Sequence, residues 1–577
     1  MFKEQLKSII YKANGVENPQ LVLKNANIIN VFSGEIIKGD VAIDDGKIVG
    51  IGEYNGENEI DLKGKYLSPG FVDSHVHIES SMSSPSQFAK AIVPRGVTTI
   101  IADPHEIANV KGIEGIKYII DDSKNVPLDV QVMLPSCVPS TNFENAGAIL
   151  EAKDLKDLLD NESVIGLGEM MNYPGVISAD ENILDKLVLF NDMIIDGHGP
   201  MISGKELNAY VAAGIKTEHE CSTIEEVVDR IRLGMYVLLR EGSAAKDLRN
   251  IIDAVNKDNL RRFLLCTDDK HPDDLINEGS IDFNIKLAIK AGIEPVDAIR
   301  MATLNPSECY RLRGKGAIAP GYIADLVVID NLEDFNILKV FKNGKLVAED
   351  NKAFFDSKIY LPENMTESVK IKDVKIEDIQ IPMKTNKANI IGVIESSLVT
   401  EKIVKEINVV NGHFNFSNDD VLKIVIIERH FATGNIGVGL IENFKLKNGA
   451  IGSTVGHDSH NIIIIGDNDE DILIAIKELK KIGGGLTLVS KGEVLKSLSL
   501  EIGGIMTSKP IEETNSILKE MIKISYDELK VNKSIDPFMT LAFMALPVIP
   551  KLKLTDMGLF DVEKFDFIKV HNEDDIN

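Results

Sequence analysis

Between about residues 70 and 310 the chain carries eight short apolar runs, each closing on a polar cluster and each followed by a helical stretch. They lie in FVDSHVHIESSM, GVTTIIADPHE, DVQVMLPSCVPS, VIGLGEMMN, DMIIDGHGP, GIKTEHECS, MYVLLREGS and RFLLCTDDKH. Repeated strand-then-helix units read as parallel α/β structure, and eight of them suit a closed ring. The expected centre of the molecule is therefore a (β/α)8 TIM-type barrel over residues 69–311. In such a barrel the chemistry sits where strands end and loops begin.

The flanks have a different texture. Residues 21–66 and 316–350 alternate in short β-like runs broken by turn signals such as Asp45-Gly46 and Asn343-Gly344. Two separated pieces of one kind predict a small composite β-sandwich, built from residues 1–68 plus 312–360 around the barrel insert. From 361 to 577 the runs KIVIIERHFATGNIGVGLIENF, TVGHDSHNIIIIGD and GGGLTLVSKGEV read as strands and DEDILIAIKELKKIG as a helix, giving a C-terminal α/β domain. The charged, alternating TESVKIKDVKIEDIQI between them is expected to form an edge strand and linker.

Bulk properties narrow the function. Lys+Arg 63 against Asp+Glu 89 leaves a net charge of −26, a field that repels phosphate backbones and anionic lipid. Nucleic acid and membrane surfaces are thus excluded as partners, and no apolar run is long enough to span a bilayer. The opening MFKEQLKSIIYKANG reads as a short amphipathic helix without the apolar centre and cleavage site of a signal peptide. The cysteines Cys137, Cys221, Cys266 and Cys309 form no CxxC pair, so a disulfide framework is not expected and a cytoplasmic setting is.

The strand ends carry a recurrent chemistry. The first gives His75 and His77, which two-residue spacing points the same way, so that both imidazoles reach one ion. The fourth gives Glu169, the fifth His198, the sixth His219 and the eighth Asp268. Any one of these reads as well as a hydrogen-bonded structural residue. Four imidazoles and two carboxylates on one rim make a site for one or two divalent ions of the Zn, Mn or Fe kind.

The segment PGFVDSHVH, with His, His and Asp after later strands, resembles the amidohydrolase superfamily. SPGFVDSHVHIESSM, ADPHEIANV, GLGEMMNYPGV, GHGP, TEHE and TDD are similar to its adenine deaminase branch, as are IIERHFATGNIGVG, TVGHDSHN and DPFMTLAFMALPVIPKLKLTDMGLFDV further on. That resemblance implies a binuclear divalent metal site, with Mn2+ favoured and Fe2+ or Zn2+ alternatives, held by His75, His77, Glu169, His198, His219 and Asp268. Glu169 stands where many members of the superfamily use a carboxylated lysine as the bridge. The motif HAxE of adenosine deaminases is absent, GHGP lacking the Glu.

The implied reaction is hydrolysis of adenine to hypoxanthine and ammonia, in purine salvage. Asp268 is expected to shuttle a proton from water to the departing amine, and His105 or Glu106 to serve the purine ring nitrogen. His271 and the polar residues Glu428, His430, His457 and His460 are candidate substrate contacts over the barrel mouth. Glu79 is a candidate partner for a metal-bound histidine, and a homodimer is the expected assembly. The competing readings are another amidohydrolase acting on a cyclic amide or a different nucleobase, and an inactive barrel used as a scaffold.

Overall fold

Eight parallel strands form the ring that the rhythm of the sequence predicts: Phe71–Val76, Val97–Ala102, Asp129–Leu134, Val164–Met170, Ile194–Gly197, Thr217–Glu218, Tyr236–Arg240 and Phe263–Cys266. They are seen in a computed structural model that describes residues 3–395, 397–417 and 420–572. The first five strands pair in sequence, as do the last three. Two seams close the ring. Lys216 N–H donates to Ile195 O at 3.0 Å between the fifth and sixth strands. Between the eighth and first, Asp268 N–H donates to His75 O at 2.9 Å and His77 N–H to Asp268 O at 3.3 Å.

Alternation along each strand sorts the core. Val72, Ile101, Met133, Leu238 and Leu264 cluster with Tyr310 in one small core. Their neighbours Phe71, Ile100, Val132, Val237, Leu239 and Phe263 join the large cluster with the surrounding helices. Side chains two apart share a face, so one strand serves two layers. Both faces are apolar, which is why these strands read as continuous runs.

The flanks meet in one nine-stranded sheet. Its joint is the antiparallel pair Tyr66–Pro69 and Leu326–Ile329, with Leu326 opposite Pro69 and Ile329 opposite Tyr66. Leu23, Val41, Ile48, Leu67 and Phe341 bury one face. Val22, Ala42 and Val49 occupy the other, against Tyr54 and Ile9 of the first helix, Lys3–Ala13.

Beyond residue 385 an eight-stranded sheet carries the helix Asp469–Ile482. Its strand Ile462–Gly466 is buried on both sides. Ile462 and Ile464 pack with that helix, while Ile463 and Ile465 pack with Leu518, Phe538 and Leu541 of the later helices. The segment 366–381 departs from expectation: it makes no strand and carries only the 3-10 turn Ile376–Ile379. Ile371 and Ile379 insert into the core under Asp469–Ile482, so the segment is held by side-chain burial and not by a sheet ladder.

Candidate active site at the barrel mouth

The loop after the first strand fixes His77. Its Nδ1–H donates to Asp103 O at 2.9 Å, which turns Nε2 inward. That Nε2 lies 3.2 Å from His75 Nε2, 3.2 Å from Asp268 Oδ1 and 3.3 Å from Glu169 Oε1. Burial and the neighbouring His219 and His77 hold His75 well below its usual range, so its imidazole is neutral with a lone pair to offer.

Glu169 is the hinge of the arrangement. Its Oε1 faces His77 at 3.3 Å and His105 Nδ1 at 3.2 Å. Its Oε2 faces His198 Nδ1 at 2.6 Å and His219 Nε2 at 3.2 Å. The two oxygens thus address two separate sets of imidazoles. Burial by itself raises a carboxyl's pKa, yet His198, His105 and His219 hold Glu169 well below the ordinary range. Asp103 Oδ2 accepts the Glu169 backbone N–H at 2.9 Å and sets the strand end from which this side chain projects.

The donor set suits divalent cations. The atoms of His75, His77 and Glu169 lie within 4.8 Å of one another, as do those of Glu169, His198 and His219. His75 Nδ1 and His219 Nε2 are buried without a hydrogen-bond partner. Burial and His105 disfavour a charge on His77, but Asp268 and Glu169 push it well above its usual range. The carboxylates favour positive charge at this point, and a cation bound by nitrogen and oxygen donors brings it.

Asp268 divides its oxygens in the same way. Oδ1 faces His77, and Oδ2 accepts from Arg240 at 2.8 Å. Arg240 ends the seventh strand and also binds Glu220 and, at 2.8 Å, Asp247. Sequence reasoning took no residue from this strand, although the signal was there: LLREGS places a cation at a strand end, where the other strands place ligands.

A pocket opens beside the cluster, walled by both halves of the chain. Glu79, Glu106, Asp269 and His271 come from the barrel, and His457, His460, Leu486, Phe538 and Phe543 from the C-terminal half. His271 reaches it from the cap of the helix Pro272–Asn277. His105 Nε2 lies 3.5 Å from Glu106 Oε1, so His105 stands between the Glu169 cluster and the pocket wall. Glu106 in turn binds His457 Nδ1 at 2.5 Å and His460 Nε2.

Two of the expected substrate contacts lie elsewhere. Glu428 accepts backbone N–H groups of Phe431 at 2.6 Å and Thr433 at 2.8 Å, stapling its own loop. His430 Nε2–H donates to Ser459 O at 2.8 Å, behind the loop that carries His457 and His460. Neither lines the pocket. Polar density in sequence mixed a pocket wall with its support. Glu79 takes the Ile107 N–H at 3.1 Å and not a histidine, and burial pushes its carboxyl up to about 7.

Residues 66–347 match the profile of the Amidohydrolase family, and residues 397–566 that of the Adenine deaminase C-terminal domain. A protein of Clostridium acetobutylicum called adenine deaminase is 52% identical over 97% of this chain and 99% of its own. An adenine deaminase of Geobacillus kaustophilus is 50% identical over 95% of this chain and 96% of its own. Adenine deaminase 2 of Carboxydothermus hydrogenoformans is 48% identical over 98% and 99%. With such identity along nearly its whole length, the chain belongs to the adenine deaminase family of amidohydrolases.

Proposed function

We propose that this chain, a hydrolase acting on a C–N bond, converts adenine and water to hypoxanthine and ammonia with two divalent ions. The observation that carries the reading is the split of Glu169: one oxygen faces His77 and the other faces His198 and His219, at the edge of an apolar pocket. His75, His77, Asp268 and Glu169 Oε1 would hold one ion, and Glu169 Oε2, His198 and His219 the second. Mn2+ is favoured, and Fe2+ and Zn2+ suit the same nitrogen and oxygen donors. Bound there, such ions supply a water whose pKa falls from ~15.7 to about 7, a nucleophile at neutral pH.

The chain's own groups do the rest. Phe538, Phe543 and Leu486 offer an apolar wall for a flat purine and keep bulk water from it. Asp268 takes a proton from the attacking water and returns it to N6, so that the C6–N bond breaks with ammonia as leaving group. Arg240 holds the second oxygen of Asp268 and keeps the carboxylate aimed during both transfers. The Glu106 cluster, with His105 behind it, serves the ring nitrogen. A cytoplasmic place in purine salvage and a homodimer accompany this reading. The four cysteines are free and buried, and no helix among the described residues is long and apolar enough to cross a membrane.

The test is a panel of bases and cyclic amides offered to Mn-loaded protein. Equal amounts of hypoxanthine and ammonia from adenine are expected. Turnover of another base or of a cyclic amide, with adenine untouched, overturns the reading. Glu169→Gln is expected to leave the circular dichroism unchanged while bound metal falls below two equivalents and turnover is lost. A variant that keeps both metals and most activity refutes the bridge.

A further inference from the structure

Glu106 cannot itself be the acid that protonates the ring, because both of its oxygens are occupied by imidazoles. It is 2% exposed. Oε1 lies 2.5 Å from His457 Nδ1, and Oε2 is in a short hydrogen bond with His460 Nε2. The tautomer of His460 is set from behind. Gly456 N–H donates to His460 Nδ1 at 3.2 Å, so the proton of this neutral ring sits on Nε2 and points at Glu106. The donor atoms of Glu106, His457 and His460 are spaced closely enough for a cation. A protonated Nε2 has no lone pair for one, and the trio is a hydrogen-bonded unit. Against burial, which favours the neutral acid, His457 and His460 hold the Glu106 carboxyl well below its usual range. It is a carboxylate with no proton to give.

His457 is placed differently. Its Nδ1–H is committed to Glu106, its ring lies 4.5 Å from that of Phe543, and it lines the pocket. Its side chain is 13% exposed where Glu106 is 3%. Nε2, on the opposite edge of the ring, has no hydrogen-bond partner among the described residues. Resting on the deamination reading above, we propose that His457 is a catalytic residue contributed by the C-terminal half, delivering its Nε2 proton to purine N1, with Glu106 as its positioning residue.

The step balances. As the C6–O bond forms, the electron pair of the N1–C6 double bond moves to N1, which takes the Nε2 proton and leaves His457 neutral. One water proton passes through Asp268 to N6 and departs in ammonia. The other is lost from O6 as the carbonyl forms, and solvent returns it to His457. The proton on N1 stays in hypoxanthine. Burial disfavours the imidazolium, but Glu106, helped by Asp269 and Asp458, pushes His457 up to about 9, so the donor is charged at neutral pH. His460, Glu79 and His271 complete the titratable surroundings, His460 beside it on Glu106 and the other two lining the same pocket.

The deciding variant is His457→Asn in Mn-loaded full-length protein, whose side-chain amide still reaches toward Glu106 but cannot act as an acid. Expected are a fall in kcat of ~10²–10⁴-fold, unchanged bound metal, KM within a few-fold of wild type and partial rescue by added imidazole. The wild-type kcat profile should lose activity above pH about 9, a limb absent from the variant. Wild-type kcat with the same alkaline limb in His457→Asn overturns the assignment. If that variant fails to fold, Glu106→Gln decides: the limb must move down toward the ordinary imidazole range, and an unmoved limb overturns the assignment equally. Wild-type protein that leaves adenine untouched overturns the deamination reading and this step with it. Adenine turnover with an indifferent His457 sinks only the step.

Discussion

Asp268 shows how one residue is made to serve the site. It follows the eighth strand with φ of 57°, in the left-handed region that aspartate enters more readily than most side chains. The conformation is held on both sides by the ring-closing bonds to His75 and His77. One oxygen is given to His77 and the other to Arg240. Asp268→Asn keeps the shape and the backbone preference but replaces one acceptor with a donor and removes the proton-carrying group. Turnover is expected to fall by ~10²–10⁴-fold with substrate affinity kept. Single-turnover rates and adenine binding measured separately check this, and a near-normal rate rules out the shuttle. The six proposed ligands were legible in sequence because each ends an apolar run. Arg240 ends an apolar run too, but its task was hidden, because its carboxylate partners Glu220, Asp247 and Asp268 lie 20, 7 and 28 residues away and meet only through the strand order.

The short helix Pro537–Phe543 shows the same dependence at the scale of an element. Its start is local: Asp536 accepts Phe538 N–H at 3.0 Å and Met539 N–H at 2.8 Å, with Pro537 in the first turn. Its end is not. The Phe543 carbonyl, left without an intrahelical partner, accepts from Lys553 Nζ at 3.0 Å, and the same amine donates to Leu398 O at 3.0 Å. Lys553 is 0% exposed, and burial pushes its ammonium down to about 7 from 10.5. Between those two values the unfolded chain holds a proton that the folded chain has released, so this group makes stability rise with pH across that window. Below about 7 both states are protonated and the folded one bears the full cost of a buried cation. In urea melts, wild type should therefore gain on Lys553→Met by roughly 1 kcal/mol per pH unit between pH 7 and 9. A pH-independent difference refutes it. The cap of this helix is set by the residue beside it, and its anchor by a lysine 10 positions beyond its end. The segment 366–381 misled for a related reason: alternation of charge mimics an edge strand, while the burial of Ile371 and Ile379 decides what it does.

At the scale of the whole molecule, the barrel rhythm was readable because eight strands repeat one local pattern, and the composite sheet because its two flanks share a texture. The pocket was readable only in part: His271, His457 and His460, expected over the barrel mouth, line it, but its apolar wall of Leu486, Phe538 and Phe543 was not, since the two walls are separated by hundreds of residues and meet by docking. Glu106 lies 351 positions from His457. That docking has its own fastening, away from the Glu169 cluster. Asp556 accepts the Asn145 backbone N–H at 3.0 Å and the Asn145 side-chain amide at 2.5 Å, from the loop after the third barrel strand. Asn461, on the loop of His457 and His460, donates to Asn145 O at 2.8 Å and lies 3.4 Å from Asp556. Removing the carboxylate leaves the half-buried Asn145 amide and its backbone N–H without that acceptor, a loss toward the low end of ~1–3 kcal/mol. The slackened loop also carries the pocket histidines. Asp556→Ala is therefore expected to lower the melting temperature and raise KM for adenine several-fold. The metal content should stay at its wild-type value, because none of the six proposed ligands touches Asp556. Thermal melts, steady-state kinetics and metal analysis on one preparation separate the outcomes. An unchanged KM together with an unchanged melting temperature would mean that the two halves hold the pocket by apolar packing alone.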